Sequence, residues 1–124
     1  HIAGPDSQKA LSSLLSEDTL RDLKFLHIKA STLNTPKEEP IPVNVFRVSF
    51  TGLPGYELHV DAQHAHQVFR HLQRAASCRG GGVFGSLALN SLRVEVAFKL
   101  RADLDYVHYS EAGIEMFTKN KDFI

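Results

Sequence analysis

Glu57 and Arg93 are the two residues whose type and setting invite chemistry. Glu57 falls on the polar side of a short alternating segment, just after the turn Gly52, Leu53, Pro54, Gly55. Arg93 lies in a segment too apolar to hold a guanidinium without a partner. On the residues alone its partner is expected within the chain, either Glu57 itself or Asp103. Glu95, four residues before Lys99, is more simply a helix-surface pair.

The other candidate constellations carry less. His64, His66 and His71 are close in one predicted helix, but positions 64 and 66 are about 200° apart around a helix and 64 and 71 are two turns apart. No cysteine and no HExxH-type partner joins them, so they are expected to be a solvated face and no metal site is assigned. Gly80, Gly81 and Gly82 lack the Lys-Ser/Thr of a phosphate loop and the spacing of a dinucleotide fingerprint, and are expected to be a flexible connection. Neither a Gly-x-Ser-x-Gly elbow nor a Cys/His pairing of motif type occurs, so nucleophilic catalysis has no support.

Bulk properties narrow the partners. The 124 residues, 43% hydrophobic, suffice for one core and are read as one unit over 1–124. Lys plus Arg and Asp plus Glu are 14 each, so no net field draws the chain to nucleic acid or anionic lipid. No apolar run approaches the roughly 20 residues that span a bilayer. The single Cys78 excludes an internal disulfide framework, and a reducing compartment is expected. The chain opens at His1 without Met and stops at Ile124 in an ordinary apolar pattern, so it is expected to be an internal piece of a longer protein.

The elements that must position Glu57 and Arg93 follow from periodicity. Pro5 and Asp6 precede Ala10, Leu11, Leu14 and Leu15, which repeat as a helix. Ser16 to Asp22 reads as a turn or short capped helix, and Phe25, Leu26, Ile28 and Leu33 as an irregular strand. Thr35 to Pro42, with three prolines, is expected to be an exposed hairpin connection. Val43 to Thr51 reads as a strand covered on both faces. From Tyr56 to Asp61 the alternation is clean, with Tyr56, Leu58 and Val60 on one side and Glu57, His59 and Asp61 on the other. Asp61 suits the N-cap of a helix on which Ala65, Val68, Phe69, Leu72 and Ala75 recur at helical spacing. A second long helix, Gly85 to Leu100, is apolar around most of its circumference and is expected to be buried. Arg101 to Tyr109 reads as loop, and Glu111 to Ile114 as the approach to a short last strand. The fold class is α+β: antiparallel strands over about residues 25–61, with the helices near 62–76 and 85–99 packed on one face.

Residues Arg47 to Val60, RVSFTGLPGYELHV, and about 30 residues on Ala88 to Glu95, ALNSLRVE, are similar to two ordered motifs of the glycine-cleavage T-protein family. Those motifs are R-x-S-[YF]-T-G-E-x-G-[YW]-E-L and A-L-[DN]-x-L-R-x-E. The segments Ile2 to Pro5, Glu111 to Gly113 and Asp122 to Ile124 also resemble the family's, so the resemblance covers nearly the whole chain. Ala88 to Arg93, with Ala97 and Phe98, resembles most the C-terminal region of the dimethylglycine and sarcosine dehydrogenase branch.

The resemblance implies a partial folate-binding domain, with tetrahydrofolate as cofactor and a flavin domain carrying FAD elsewhere in the same protein, in the mitochondrial matrix. It implies that the chain passes a one-carbon unit from an N-methyl amino acid to tetrahydrofolate. Carried over to matching positions, Glu57 would accept paired N–H donors from the pterin edge, Phe50 would pack on the pterin, and Arg93 would be satisfied by an anionic or carbonyl group of the folate rather than by a protein carboxylate. The family's acid/base Asp lies upstream of the matched residues, so this chain alone is expected to be inactive. Leu53 stands where the family has Glu, Val96 where it has Lys, and Tyr109-Ser110 where it has Thr-Pro. The alternative implied by the same resemblance is a non-catalytic relative, such as a pyruvate dehydrogenase phosphatase regulatory subunit, a branch that can share the Pro of Gly52 to Gly55.

Overall fold

The computed structural model describes residues 1–35 and 39–117. Four strands form one antiparallel sheet in the order β1-β4-β3-β2: β1 (Ile2–Ala3), β2 (Ile28–Leu33), β3 (Ile41–Phe46) and β4 (Gly55–His59). Around it lie α1 (Ser7–Ser12), α2 (Glu17–Arg21), α3 (Ala62–Ser77), α4 (Ser86–Glu95), the single turn α5 (Arg101–Leu104) and a 3-10 turn at Glu115–Phe117.

Hydrophobic alternation sets the sheet's two faces. On β3, Ile41, Val43 and Val45 point into the core and Pro42 and Asn44 point out. β3 is therefore covered on one face only, and it ends at Phe46 rather than running to Thr51; residues 47–49 leave the ladder, with the Arg47 amide bonding to His27 O. The same register places Tyr56 and Leu58 of β4 inward and Glu57 and His59 outward. The β2–β3 hairpin runs from Ile28↔Phe46 to Leu33↔Ile41, and the middle of its connection, 36–38, lies outside the described residues.

α1, α2 and α3 cover the inner face. Ala10, Leu11 and Leu15 of the α1 region, Leu20 and Leu23 near α2, and Val68 of α3 join the sheet's inward side chains in one core cluster, with Leu72 and Ala75 packed at its margin. α3 begins after Asp61, as the alternation-to-helix switch predicts, although the Asp61 carboxylate makes no cap bond; its carbonyl takes the His64 N–H instead. At the other end, Gly80 and Gly81 amides return to the Ser77 and Ala76 carbonyls and close the helix.

The C-terminal third differs from the sequence reading. The helix expected over Gly85 to Leu100 stops at Glu95, and instead of being buried it exposes its apolar side, with Leu87 85% accessible. The core cluster is already closed by α1 to α3, and the glycine-rich connection carries α4 away from it. What α4 buries is Arg93. Arg101 to Leu104 is one helical turn rather than loop; after the turn at 111–113 the chain forms a 3-10 turn at Glu115–Phe117, and the rest of the region expected to hold a last strand lies outside the described residues. The Asp122 to Ile124 motif lies outside the described residues. No described helix is long and apolar enough to cross a membrane.

Candidate functional site

Glu57 and Arg93 are not spent on each other. Glu57 is on the open face of β4, its side chain 28% accessible, and its Oε2 lies 3.2 Å from Nε2 of His59. Alternation puts residues 57 and 59 on one face, so this contact is local to the strand. Phe46 is the cross-strand partner of Glu57, and its ring meets the His59 ring edge-on at 6.5 Å.

Arg93, 8% accessible, is held by protein groups on three sides. Nε donates to Asn90 Oδ1 at 2.8 Å, and Nη1 donates to the Phe98 carbonyl at 3.0 Å and to Asp103 Oδ2 at 2.6 Å. Nη2 donates to Asp103 Oδ1 at 3.3 Å, completing a two-pronged pair with the carboxylate. Of the two partners the residues allowed, the structure has Asp103, so the guanidinium is satisfied by a protein carboxylate, contrary to what the resemblance implied for Arg93. These four bonds take four of the five N–H groups of the guanidinium.

Asp103 is fixed as firmly as its partner. Its Oδ2 also accepts the Leu100 amide at 2.7 Å, which caps the start of α5, while the pair with Arg93 ties α5 to α4. That backbone bond first, and the Arg93 guanidinium second, hold the Asp103 carboxyl below its ordinary value of 3.8. A carboxyl lowered in the folded state gives stability that is complete above its unfolded value and is lost as pH falls through the folded one. We therefore expect the α4–α5 arm to lose amide protection below about pH 4 while the sheet keeps its own, and the Asp103→Asn variant to lack this pH step. Residue-resolved hydrogen exchange measures it; a step that survives in Asp103→Asn would assign it to another group.

An aromatic run joins the two polar groups. Phe50 meets Phe98 edge-on at 5.3 Å, and Phe98 is the residue whose carbonyl Arg93 holds. On its other side Phe50 meets the His1 ring at 5.7 Å. Continuing the register Ile2↔Tyr56 by one residue places His1 opposite Glu57, and a Cβ at Gly55 would lie 3.1 Å from His1 Nε2. The structure thus strings Glu57, His1, Phe50, Phe98 and Arg93 along one side of the molecule.

Next to Phe50 the Thr51 hydroxyl is buried, and it has no hydrogen-bond partner among the described residues. Such a group is expected to meet a water or a ligand atom. Gly52, at φ +72°, turns tightly under Val96; a Cβ there would come within 2.6 Å of Val96 Cγ1. Sequence reasoning named Asp103 as a possible partner of Arg93, but missed His1, Asn90 and Phe98 as supports of the site. The described residues hold no cluster of three or more His, Cys, Asp or Glu fit for a metal ion.

Comparison with known proteins agrees with the two motifs. Residues 1–122 match the family described as GCVT N-terminal domain. The chain is 36% identical over 132 residues to the mitochondrial dimethylglycine dehydrogenase of Mus musculus, and 37% over 130 residues to that of Homo sapiens; each match takes in 99% of this chain and 14% of the relative. It is also 33% identical over 115 residues to an aminomethyltransferase of Halothermothrix orenii, covering 91% of this chain and 30% of the relative. The chain therefore spans about a seventh of the length of the dehydrogenases it matches. Its family match over residues 1–122, its two ordered motifs and its α+β fold with an antiparallel sheet agree: the chain belongs to the GCVT N-terminal domain family.

Proposed function

We propose that this chain is the folate-binding portion of a mitochondrial N-methyl amino acid dehydrogenase of the dimethylglycine or sarcosine type, or of an aminomethyltransferase. In such a protein a flavin domain with FAD would lie elsewhere in the polypeptide, and tetrahydrofolate would carry off the one-carbon unit. The observation that carries the reading is Glu57: an outward carboxylate not used by Arg93, with Phe50 on the same aromatic run.

The residues fit the cofactor's chemistry. One carboxylate can accept two parallel N–H donors from the edge of a pterin, and it is a stronger acceptor for carrying charge. Phe50 offers a flat apolar contact, and the buried Thr51 hydroxyl still needs a partner. Arg93, with four N–H groups taken, has the fifth for a carbonyl or carboxylate of the folate, and its Phe98 contact fixes the aromatic wall. The proton-transfer group of the reaction would come from residues upstream of the match, so the role of this chain is to bind and orient.

Tetrahydrofolate affinity of the full-length protein tests this. A Glu57→Gln variant replaces one acceptor oxygen by an N–H₂ that opposes the pterin's donors, and should weaken binding at least about tenfold. Unchanged affinity would reject the pterin role of Glu57. Dimethylglycine or sarcosine oxidation by the flavin domain should persist in the same variant.

A further inference from the structure

Glu57 is not a free-swinging carboxylate, and what restrains it has a bearing on what it selects. Phe46 and Glu57 are directly opposed across β3 and β4, so their side chains rise together from the open face. His59 stands two residues further along the same face, opposite Asn44. Its ring is braced edge-on by Phe46 and its Nε2 reaches Glu57 Oε2. To donate there the imidazole must carry its proton on Nε2.

We propose that His59, braced by Phe46, is a positioning residue that presents the Glu57 carboxylate to a ring edge bearing two adjacent N–H donors; this rests on the folate reading above and deepens it. A carboxylate oxygen has room for two hydrogen bonds. His59 takes one of those on Oε2, which leaves each of the two oxygens able to accept one N–H. The same bond restricts rotation of the Glu57 side chain before the ligand arrives, so less freedom is lost on binding. Ordering one flexible side chain typically costs enough to change affinity about three- to tenfold. The benefit falls on ligands that need both oxygens aligned, so His59 contributes to selectivity as well as to affinity.

The test uses the full-length protein and two probes: tetrahydrofolate, and its 2-desamino counterpart, which keeps the ring but lacks the 2-amino donor group. His59→Ala should weaken tetrahydrofolate about three- to tenfold and lower its preference over the 2-desamino compound. His59→Gln, whose amide N–H₂ can replace the imidazole donor, should restore most of both. The melting temperature should not move, since the His59 side chain is 54% accessible. A proportional loss of both probes, leaving the preference unchanged, would mean a merely structural role and would overturn the proposal; so would no loss at all, or failure of Gln to rescue. The two readings fail differently. If Glu57→Ala leaves tetrahydrofolate affinity intact, the folate reading itself falls, whereas a loss in Glu57→Ala with none in His59→Ala removes only the role of His59.

Discussion

Replacing Tyr56 by alanine should lower the free energy of unfolding by about 3 to 5 kcal/mol, while replacing its neighbour Glu57 by alanine should change it by no more than about 0.5 kcal/mol. Tyr56 is among the largest fully buried side chains, 1% accessible, on the inward face of β4 beneath α1 and against Ile2 of β1. Removing its ring leaves a cavity between sheet and helices that α1 and α3 cannot collapse to fill without sliding on the sheet. Domains of this size are stable by only about 5 to 15 kcal/mol, so the loss is a large part of the whole. Glu57, one residue on, makes a solvent-exposed contact with His59, and such pairs contribute little to stability. Urea denaturation of both variants measures the contrast. A costly Glu57→Ala would mean that the carboxylate is structural, which would count against a binding role.

What was legible in the sequence was governed by periodicity that local neighbours can satisfy. The alternation from Tyr56 to His59 placed Glu57 outward, and the helical repeat from Ala62 to Ala75 placed Val68 and Leu72 inward, because each of those patterns is completed by the sheet and helices of this chain. The reading failed where a pattern states a need without naming what meets it. Residues 85–100 are apolar enough for a buried helix, yet Leu87 and Val94 are exposed, since no described residue lies in a position to cover them. The same logic applied to Arg93, at a smaller scale. Its setting demanded an anion, but the choice between Glu57 and Asp103 depended on a turn at Val96 and Ala97, the latter at φ 56°, that brings α5 back beside α4. A positive φ at a non-glycine residue is not legible from propensity. His1, Phe50 and Phe98 come together from separate parts of the chain, and no spacing rule links them.

Gly55→Ala should lower stability by about 2 to 3 kcal/mol and tetrahydrofolate affinity with it. A Cβ at this position would stand 2.7 Å from the Val48 carbonyl oxygen, closer than real side chains come, and 3.1 Å from His1 Nε2. The imidazole can turn aside; the carbonyl belongs to the backbone between Phe46 and Phe50 and cannot move alone. Relief requires β4 to shift against that segment, and the shift carries Glu57, two residues along on the same face, away from Phe46 and His1. The effect is steric and not a matter of glycine's backbone freedom, which Gly82→Ala serves to separate. Gly82 has open space where its Cβ would go and no left-handed φ, so alanine there should be neutral, or stabilising by up to about 1 kcal/mol through the unfolded chain. Denaturant melts of the two variants, with folate titrations on the full-length protein, distinguish the outcomes. Equal effects of the two substitutions would show that the close approach of β4 to Val48 does not govern the placement of Glu57.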